Sequence, residues 1–174
     1  MLHRFSRLAV SAVLTLLGSL AVAAEPHLDA INATTMSPSL TVAGQPSRED
    51  INRLRKAGFT TVINLRPASE TSDYDESAAV GAAGMLYVNI PVAGADGITR
   101  ANAKLLAQAL DSADGPVFLH CASGNRAGAL LGLKAALTNH AEPTTALAYG
   151  RTAGMRSPAL EQRLEQEISA TASQ

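Results

Sequence analysis

The chain reads as an α/β domain with a mainly parallel central sheet flanked by helices. Three observations predict this. Short runs of β-branched and apolar residues (Leu40–Ala43, Thr60–Leu65, Met85–Ile90 and Pro116–His120) alternate with longer stretches of helical character. The first three runs stop at breakers: Gly44-Gln45-Pro46, Arg66-Pro67 and Pro91. In addition, 33 of the 174 residues are alanine, which suits helices packed closely through small contact residues. Ligands of such sheets bind beyond the carboxyl ends of the strands, so the segments after Ile90 and after His120 are the places to seek a site.

The elements follow in order. Met1 to Ala24 has the pattern of a secretory signal peptide. His3, Arg4 and Arg7 form a basic start, Leu8 to Val22 is uncharged and apolar, and small residues Ala23-Ala24 precede Glu25-Pro26. The apolar run is shorter than the roughly 20 residues of a spanning helix, so cleavage is expected and no stable membrane anchor after it. A secreted protein is expected, periplasmic in a Gram-negative host. Residues 25–39, polar and carrying Pro26 and Pro38, are expected to be an irregular lead-in to a domain over residues 40–170.

Within that domain Ser47, with Asp50 three residues on, predicts a capping box. Ile51, Leu54 and Ala57 continue the stripe of that helix, and Gly58 is placed to end it. Tyr74 to Ala83 is an Ala-rich helix candidate whose acids Asp73, Asp75 and Glu76 are expected to be solvated. Thr99 opens a helix carrying Leu105, Leu106, Ala109 and Leu110 on one side. Ala127 to Leu137 is apolar nearly all round, the mark of a buried helix. Glu142-Pro143 and Ser157-Pro158 open the last two helices, the final one with Leu160, Leu164 and Ile168 at four-residue spacing.

Charge and cysteine usage narrow the chemistry. There are 14 Lys+Arg against 15 Asp+Glu, and loss of Arg4 and Arg7 with the leader leaves a net charge of −3. That balance argues against nucleic acid and acidic membranes as partners. A single cysteine excludes an internal disulfide framework and a Cys-based zinc site.

That cysteine opens the segment His120-Cys121-Ala122-Ser123-Gly124-Asn125-Arg126, which joins a buried strand to the buried helix. The pattern suits anion capture. Ala122, Ser123, Gly124 and Asn125 can curl so that successive backbone N–H groups point inward, at the start of a helix. Gly124 permits a φ that other residues resist. Arg126 can close the ring with a planar fork matched to two anionic oxygens. The same dipoles and guanidinium favour a thiolate at Cys121. A buried, inert cysteine is the plainer alternative. His120 is expected either to sit behind the loop and help order the thiolate or simply to cap the strand.

The segment HCASGNRAG resembles the signature loop of the cysteine-dependent protein tyrosine and dual-specificity phosphatases. VAGQPS (42–47), GFTTVINLR (58–66), YVNIPV (87–92) and YGRTAGM (149–155) resemble, in the same order, the bacterial branch known as the beta-lactamase-hydrolase-like, phosphatase-like domain. The likeness covers about residues 38–168. It implies a protein tyrosine phosphatase-like fold and a metal-free, cofactor-free hydrolysis of phosphate monoesters on a phosphorylated protein or small molecule. Cys121 would form a phosphocysteine and Arg126 would bind the equatorial oxygens. Two departures stand out. Four residues, not the usual five, separate Cys121 from Arg126, and Ala127 replaces the Ser or Thr whose hydroxyl assists breakdown of the intermediate.

Phosphoryl transfer to a thiolate also needs a proton for the leaving oxygen. The resemblance puts an Asp on a loop upstream of the cysteine. Asp96 is the acid in the loop after Met85–Ile90, and Gly94 and Gly97 beside it are expected to let that loop swing over the site. Its plainer role is an Asp-Gly turn. Arg66 is expected to pair with Glu70 at the surface or to face the cleft. Two other functions compete with a phosphatase: a rhodanese-like sulfurtransferase holding a persulfide on Cys121, and a weakly active oxyanion-binding module. Five aromatics beyond the leader offer no evident grip for phosphotyrosine.

Overall fold

The computed structural model describes residues 26–70 and 72–172; the predicted leader, residues 1–24, lies outside them. Among the described residues a five-stranded sheet runs in the order β1-β2-β5-β3-β4. Its strands are β1 (Thr34–Ser37), β2 (Leu40–Ala43), β3 (Thr61–Asn64), β4 (Leu86–Asn89) and β5 (Val117–His120). Only the β1–β2 pair is antiparallel; β2–β5, β5–β3 and β3–β4 are parallel. The helices are α1 (Arg48–Lys56), α2 (Glu76–Ala82), α3 (Arg100–Asp111), α4 (Asn125–Thr138), α5 (Pro143–Thr152) and α6 (Pro158–Ala172). This is the α/β architecture the alternation predicts.

One element corrects the sequence reading. Residues 34–37, assigned to an irregular lead-in, form edge strand β1, with Thr34 opposite Val42 and Ser37 opposite Leu40. Its burial is slight because an edge strand with one neighbour needs no apolar face, so no hydrophobic pattern announces it. The available signal is Thr34-Thr35 followed by Ser37-Pro38-Ser39, a turn leading straight into β2.

Elsewhere local chemistry sets the boundaries. Ser47 Oγ accepts from Asp50 N and the Asp50 carboxylate accepts from Ser47 N, completing the capping box of α1. Gly58, with φ +90°, follows the C-cap in the left-handed conformation that stops the helix. Helix α4 is buried on nearly all sides, as its composition predicts. It packs against α5 and α6 at a distance only glycine allows. A Cβ at Gly128 would lie 2.6 Å from Gly150 O, and one at Gly132 would lie 2.8 Å from Ala146 O.

The register then places the site. Ala43, His120 and Asn64 lie side by side at the carboxyl ends of β2, β5 and β3. Cys121 leaves the sheet from its central strand, directly into the start of buried α4.

Candidate active site

The loop after β5 is a tight turn with its carbonyls held from outside. The Cys121 carbonyl accepts from His120 Nδ1 at 3.2 Å. The Ala122 carbonyl accepts from the Gln45 amide at 3.1 Å. The Ser123 carbonyl accepts from Asn32 Nδ2 at 2.9 Å. A trans peptide sets its C=O and the following N–H on opposite sides. The amides of Ala122, Ser123 and Gly124 are therefore turned away from those three partners, and Gly124 N–H donates to Cys121 Sγ at 3.1 Å. Gly124 has φ +84°, the left-handed turn that carries the chain from loop into α4.

Asn125 fixes the far side. Its Oδ1 accepts from the amides of Arg156 and Ser157 at 2.6 and 2.9 Å, and its Nδ2 donates to Ser123 Oγ at 3.1 Å. Two sequence stretches that carry the family resemblance thus meet the loop from opposite sides. VAGQPS supplies Gly44, where a Cβ would fall 2.9 Å from Ala122 O, as well as the Gln45 amide. YGRTAGM supplies Gly154, packed against Gly124 O, and leads into Arg156.

Arg126, in the first turn of α4, is mostly buried and its guanidinium is fully oriented. Nη1 donates to Glu70 Oε1 at 2.6 Å and to the Val92 carbonyl at 2.7 Å, and Nη2 donates to Glu70 Oε2 at 2.8 Å. Glu70 raises the affinity of this group for its proton above the ordinary guanidinium value; burial opposes that, and the Cys121 sulfur adds to it. The Glu70 carboxyl is in turn held below its usual range, first by Arg126, against the cost of burial, and then by Arg66. Of the five guanidinium hydrogens, this pairing uses both on Nη1 and one on Nη2. The Nε–H and the second Nη2 hydrogen share the edge that Glu70 and Val92 do not take, a fork suited to two oxygens of an anion, and the Cys121 sulfur also engages this guanidinium.

Arg66 pairs with Glu70 at 3.0 Å, the surface pair the sequence suggests, and also donates to the Gln45 side chain. It lines a cleft of about 620 Å³ with Arg48, Tyr74 and, from the loop after β5, Ala122; Cys121 itself is buried. Arg48 stacks over the Tyr74 ring at 5.2 Å in the cleft wall.

Behind the loop lies a buried polar cluster that the sequence does not announce. Glu76, expected to be solvated at the start of α2, is buried. It is drawn inward because β3 and β5 present polar groups at that end of the sheet. Its Oε2 accepts from Gln45 Nε2 at 2.9 Å and Asn64 Nδ2 at 3.2 Å. Its Oε1 lies 2.7 Å from Nε2 of fully buried His120, a close electrostatic contact not aligned as a hydrogen bond. His120 thus lies behind the loop, between the Cys121 carbonyl and Glu76.

Asp96 sits apart. Its loop joins the site through its root, where the Val92 carbonyl meets Arg126. The Asp96 carboxylate is exposed, with no hydrogen-bond or ion-pair partner among the described residues. The turn around it is closed by Gly97 N to Ala93 O and Ile98 N to Ala95 O, both 2.9 Å, and by Asn102 Nδ2 to Gly97 O at 2.8 Å. A Cβ at Gly97 would lie 2.5 Å from Ala93 N. Of the two flanking glycines, Gly97 thus permits a close backbone approach and Gly94, with φ +53°, a left-handed turn. The structure thus brings together Cys121, Ala122, Ser123, Gly124, Asn125, Arg126 and His120, and leaves the Asp96 carboxylate in solvent.

Among the described residues no group of three or more His, Cys, Asp or Glu is placed to hold a metal, and no helix is long and apolar enough to cross a membrane.

Comparison with known proteins bears on this geometry. A family model described as "Beta-lactamase hydrolase-like protein, phosphatase-like domain" matches residues 32–138. A beta-lactamase hydrolase-like protein of Agrobacterium fabrum is 37% identical over 144 residues, 80% of this chain and 33% of that protein. The chain thus spans about a third of the length of that curated relative. Among solved structures, a DUF442 protein of Shewanella putrefaciens CN-32 superposes with a TM-score of 0.64 at 26% identity, covering 82% of this chain and 94% of that one. P. aeruginosa TpbA in complex with pTyr gives a TM-score of 0.58 at 22% identity, covering 80% and 82%. The fold is that of the protein tyrosine phosphatase-like phosphatases.

Proposed function

Because the chain belongs to the family of beta-lactamase hydrolase-like, phosphatase-like domains, we propose that it hydrolyses phosphate monoesters through Cys121, with Arg126 as oxyanion clamp and Asp96 as proton donor. One observation carries this reading: the Gly124 amide donates to the Cys121 sulfur at 3.1 Å, inside a turn whose Cys121, Ala122 and Ser123 carbonyls are each taken by another partner. An anion seat and a nucleophile therefore coincide.

In the first step Cys121 Sγ attacks phosphorus, the P–S bond forms and the P–O bond to the leaving group breaks. The loop amides and the remaining edge of Arg126 take up the charge on the equatorial oxygens. In this reading Asp96, exposed on the loop whose root at Val92 meets Arg126, gives its proton to the departing oxygen. In the second step water attacks phosphorus, Asp96 takes the water proton, and the P–S bond breaks to return the thiolate and release phosphate. Ala127 places no hydroxyl beside the sulfur, so the second step is the slower one.

Phosphorylated ligands support the class. The similar fold of TpbA holds pTyr, and PTPMT1, also similar in fold, is known in complex with PI(5)P. A groove of about 620 Å³ reaches the loop at Ala122. The proposal includes export with removal of residues 1–24, and intact mass of exported protein retaining residues 1–23 would contradict that part.

The test is one preparation assayed with an aryl phosphate and, separately, with thiosulfate plus cyanide. The phosphatase reading expects phosphate release that vanadate inhibits. Sulfur transfer without phosphate release would instead make the short Cys-to-Arg ring a sulfur seat of the rhodanese kind.

A further inference from the structure

The three outward carbonyls of the catalytic loop are held by three different parts of the chain. His120 is the loop's own neighbour, and Gln45 uses its backbone amide, which any residue but proline supplies. The third holder is a side chain from a distant exposed segment: Asn32 Nδ2, donating to Ser123 O at 2.9 Å across 91 residues of sequence.

Asn32 is built into that position. Its backbone has φ +55°, one of two non-glycine residues with positive φ among the described residues. Glycine would adopt this turn with least strain. Asn tolerates it and, unlike glycine, brings an amide. The turn is anchored by Gly44 N–H donating to Ile31 O at 2.7 Å, and Gly44 itself lies against the loop at Ala122. The place of a Cβ on Gly124 would be 3.7 Å from Asn32 Cβ, so the side chain lies directly over the turn it holds.

The peptide that Asn32 grips is the one whose N–H reaches the nucleophile. Ser123 C=O and Gly124 N–H belong to a single planar unit. Fixing the oxygen outward fixes the hydrogen inward, at 3.1 Å from Cys121 Sγ. The Gly44–Ser123 bridge holds the backbone on one side, and the Asn32 amide adds the side-chain bond that fixes this peptide's oxygen.

We propose that Asn32 is a positioning residue of the catalytic loop, acting from outside through the Ser123 carbonyl to keep the Gly124 amide on the Cys121 sulfur. The inference rests on the reading of Cys121 as a nucleophile, and its test does not need phosphatase turnover.

The experiment compares iodoacetamide alkylation of Cys121 across pH in wild type, Asn32→Gly and Asn32→Asp, with melting temperatures measured alongside. Asn32→Gly keeps the left-handed turn and removes the amide. Asn32→Asp keeps the shape and turns an acceptor toward the Ser123 oxygen. Thr34→Ala, in the same segment, removes only a 3.5 Å contact to Asn32 O and serves as the control. Both Asn32 variants are expected to move the alkylation midpoint to higher pH and to slow alkylation about two- to tenfold near neutrality, the effect of one hydrogen bond. The aspartate is expected to move it further, and Thr34→Ala is expected to match wild type.

Folded Asn32→Gly and Asn32→Asp proteins with the wild-type profile would overturn the proposal. So would an equal shift in Thr34→Ala, which would trace the effect to the segment rather than the amide. If wild-type Cys121 resists alkylation throughout while the denatured chain reacts, the nucleophile reading itself falls, and this one with it.

Discussion

Two loops leave the carboxyl edge of the parallel sheet, and they are built in opposite ways. The loop after β5, in which Cys121, Gly124 and Arg126 are buried, is held from several sides: three carbonyls are gripped by partners, Asn125 is pinned to the amides of Arg156 and Ser157, and Arg126 is oriented by Glu70 and Val92. The loop after β4 is a turn closed by its own bonds, Gly97 N to Ala93 O and Ile98 N to Ala95 O, between buried Val92 and Ile98, and it carries Asp96 outward into solvent. The difference suits the two tasks proposed for them. An anion seat must be shaped before the anion arrives, because the amides stabilise charge only if they need not reorganise. A proton donor has to meet a leaving group that differs from one substrate to another, so it suits an exposed position that a bound substrate can cover.

Breaking the first loop should have the largest effect. Cys121→Ser should lower phosphate-monoester turnover about 10⁴-fold or more, as expected when a nucleophile is removed, while vanadate or phosphate still binds to the unchanged amides and Arg126. Loss of both in a folded protein would mean that the sulfur organises the loop rather than reacting in it. Altering the second loop should discriminate between substrates. Asp96→Asn should slow hydrolysis of alkyl phosphates ~10²–10⁴-fold, the usual contribution of a general acid. It should barely affect aryl phosphates whose leaving groups need little protonation. An equal loss on both would remove Asp96 from proton transfer.

Arg126→Lys should reduce oxyanion affinity roughly ten- to a hundredfold, because a point charge cannot replace a planar fork and one charge-assisted bond is lost. Competitive inhibition by phosphate measures this directly.

The smallest effect concerns the strut that orients Arg126. The Glu70 carboxyl is held below its ordinary value of 4.5, chiefly by Arg126. Such a depressed group contributes stability that is present above the unfolded value and is lost as pH falls through the lower folded value. Acid denaturation should therefore steepen below pH 4.5 in wild type and be shallower in Glu70→Gln, with the two converging at the acid end. Identical acid transitions would show that the pair is not a strut.

How far each region was legible in the sequence follows from what writes it. Ser47, Thr99 and Gly58 announce their helix ends because capping is local chemistry. The all-apolar stretch of α4 announces its burial, and Cys121, Gly124 and Arg126 announce the anion loop because backbone turn, charge and nucleophile fall within six positions. What stayed hidden was tertiary. Glu76 resembles an ordinary first-turn acid until β3 and β5 bring Asn64 and His120 against it. Glu70 resembles a partner for Arg66 alone, yet it also clasps Arg126 from 56 residues away. Asn32 stood in a stretch read as irregular, since neither an edge strand with one neighbour nor a single left-handed turn leaves a hydrophobic period.

The central claim is that Cys121 accepts a phosphoryl group in the seat formed by its own loop. The most direct measurement is rapid acid quench of wild-type protein reacting with an activated aryl phosphate, followed by intact and peptide mass analysis. Without a hydroxyl at Ala127 to speed breakdown, a phosphoryl adduct is expected to accumulate on the peptide carrying Cys121, at a level set by substrate and absent in Cys121→Ser. Phosphate release with no adduct on Cys121, or a Cys121 that gains only a sulfur atom from thiosulfate, would contradict the account.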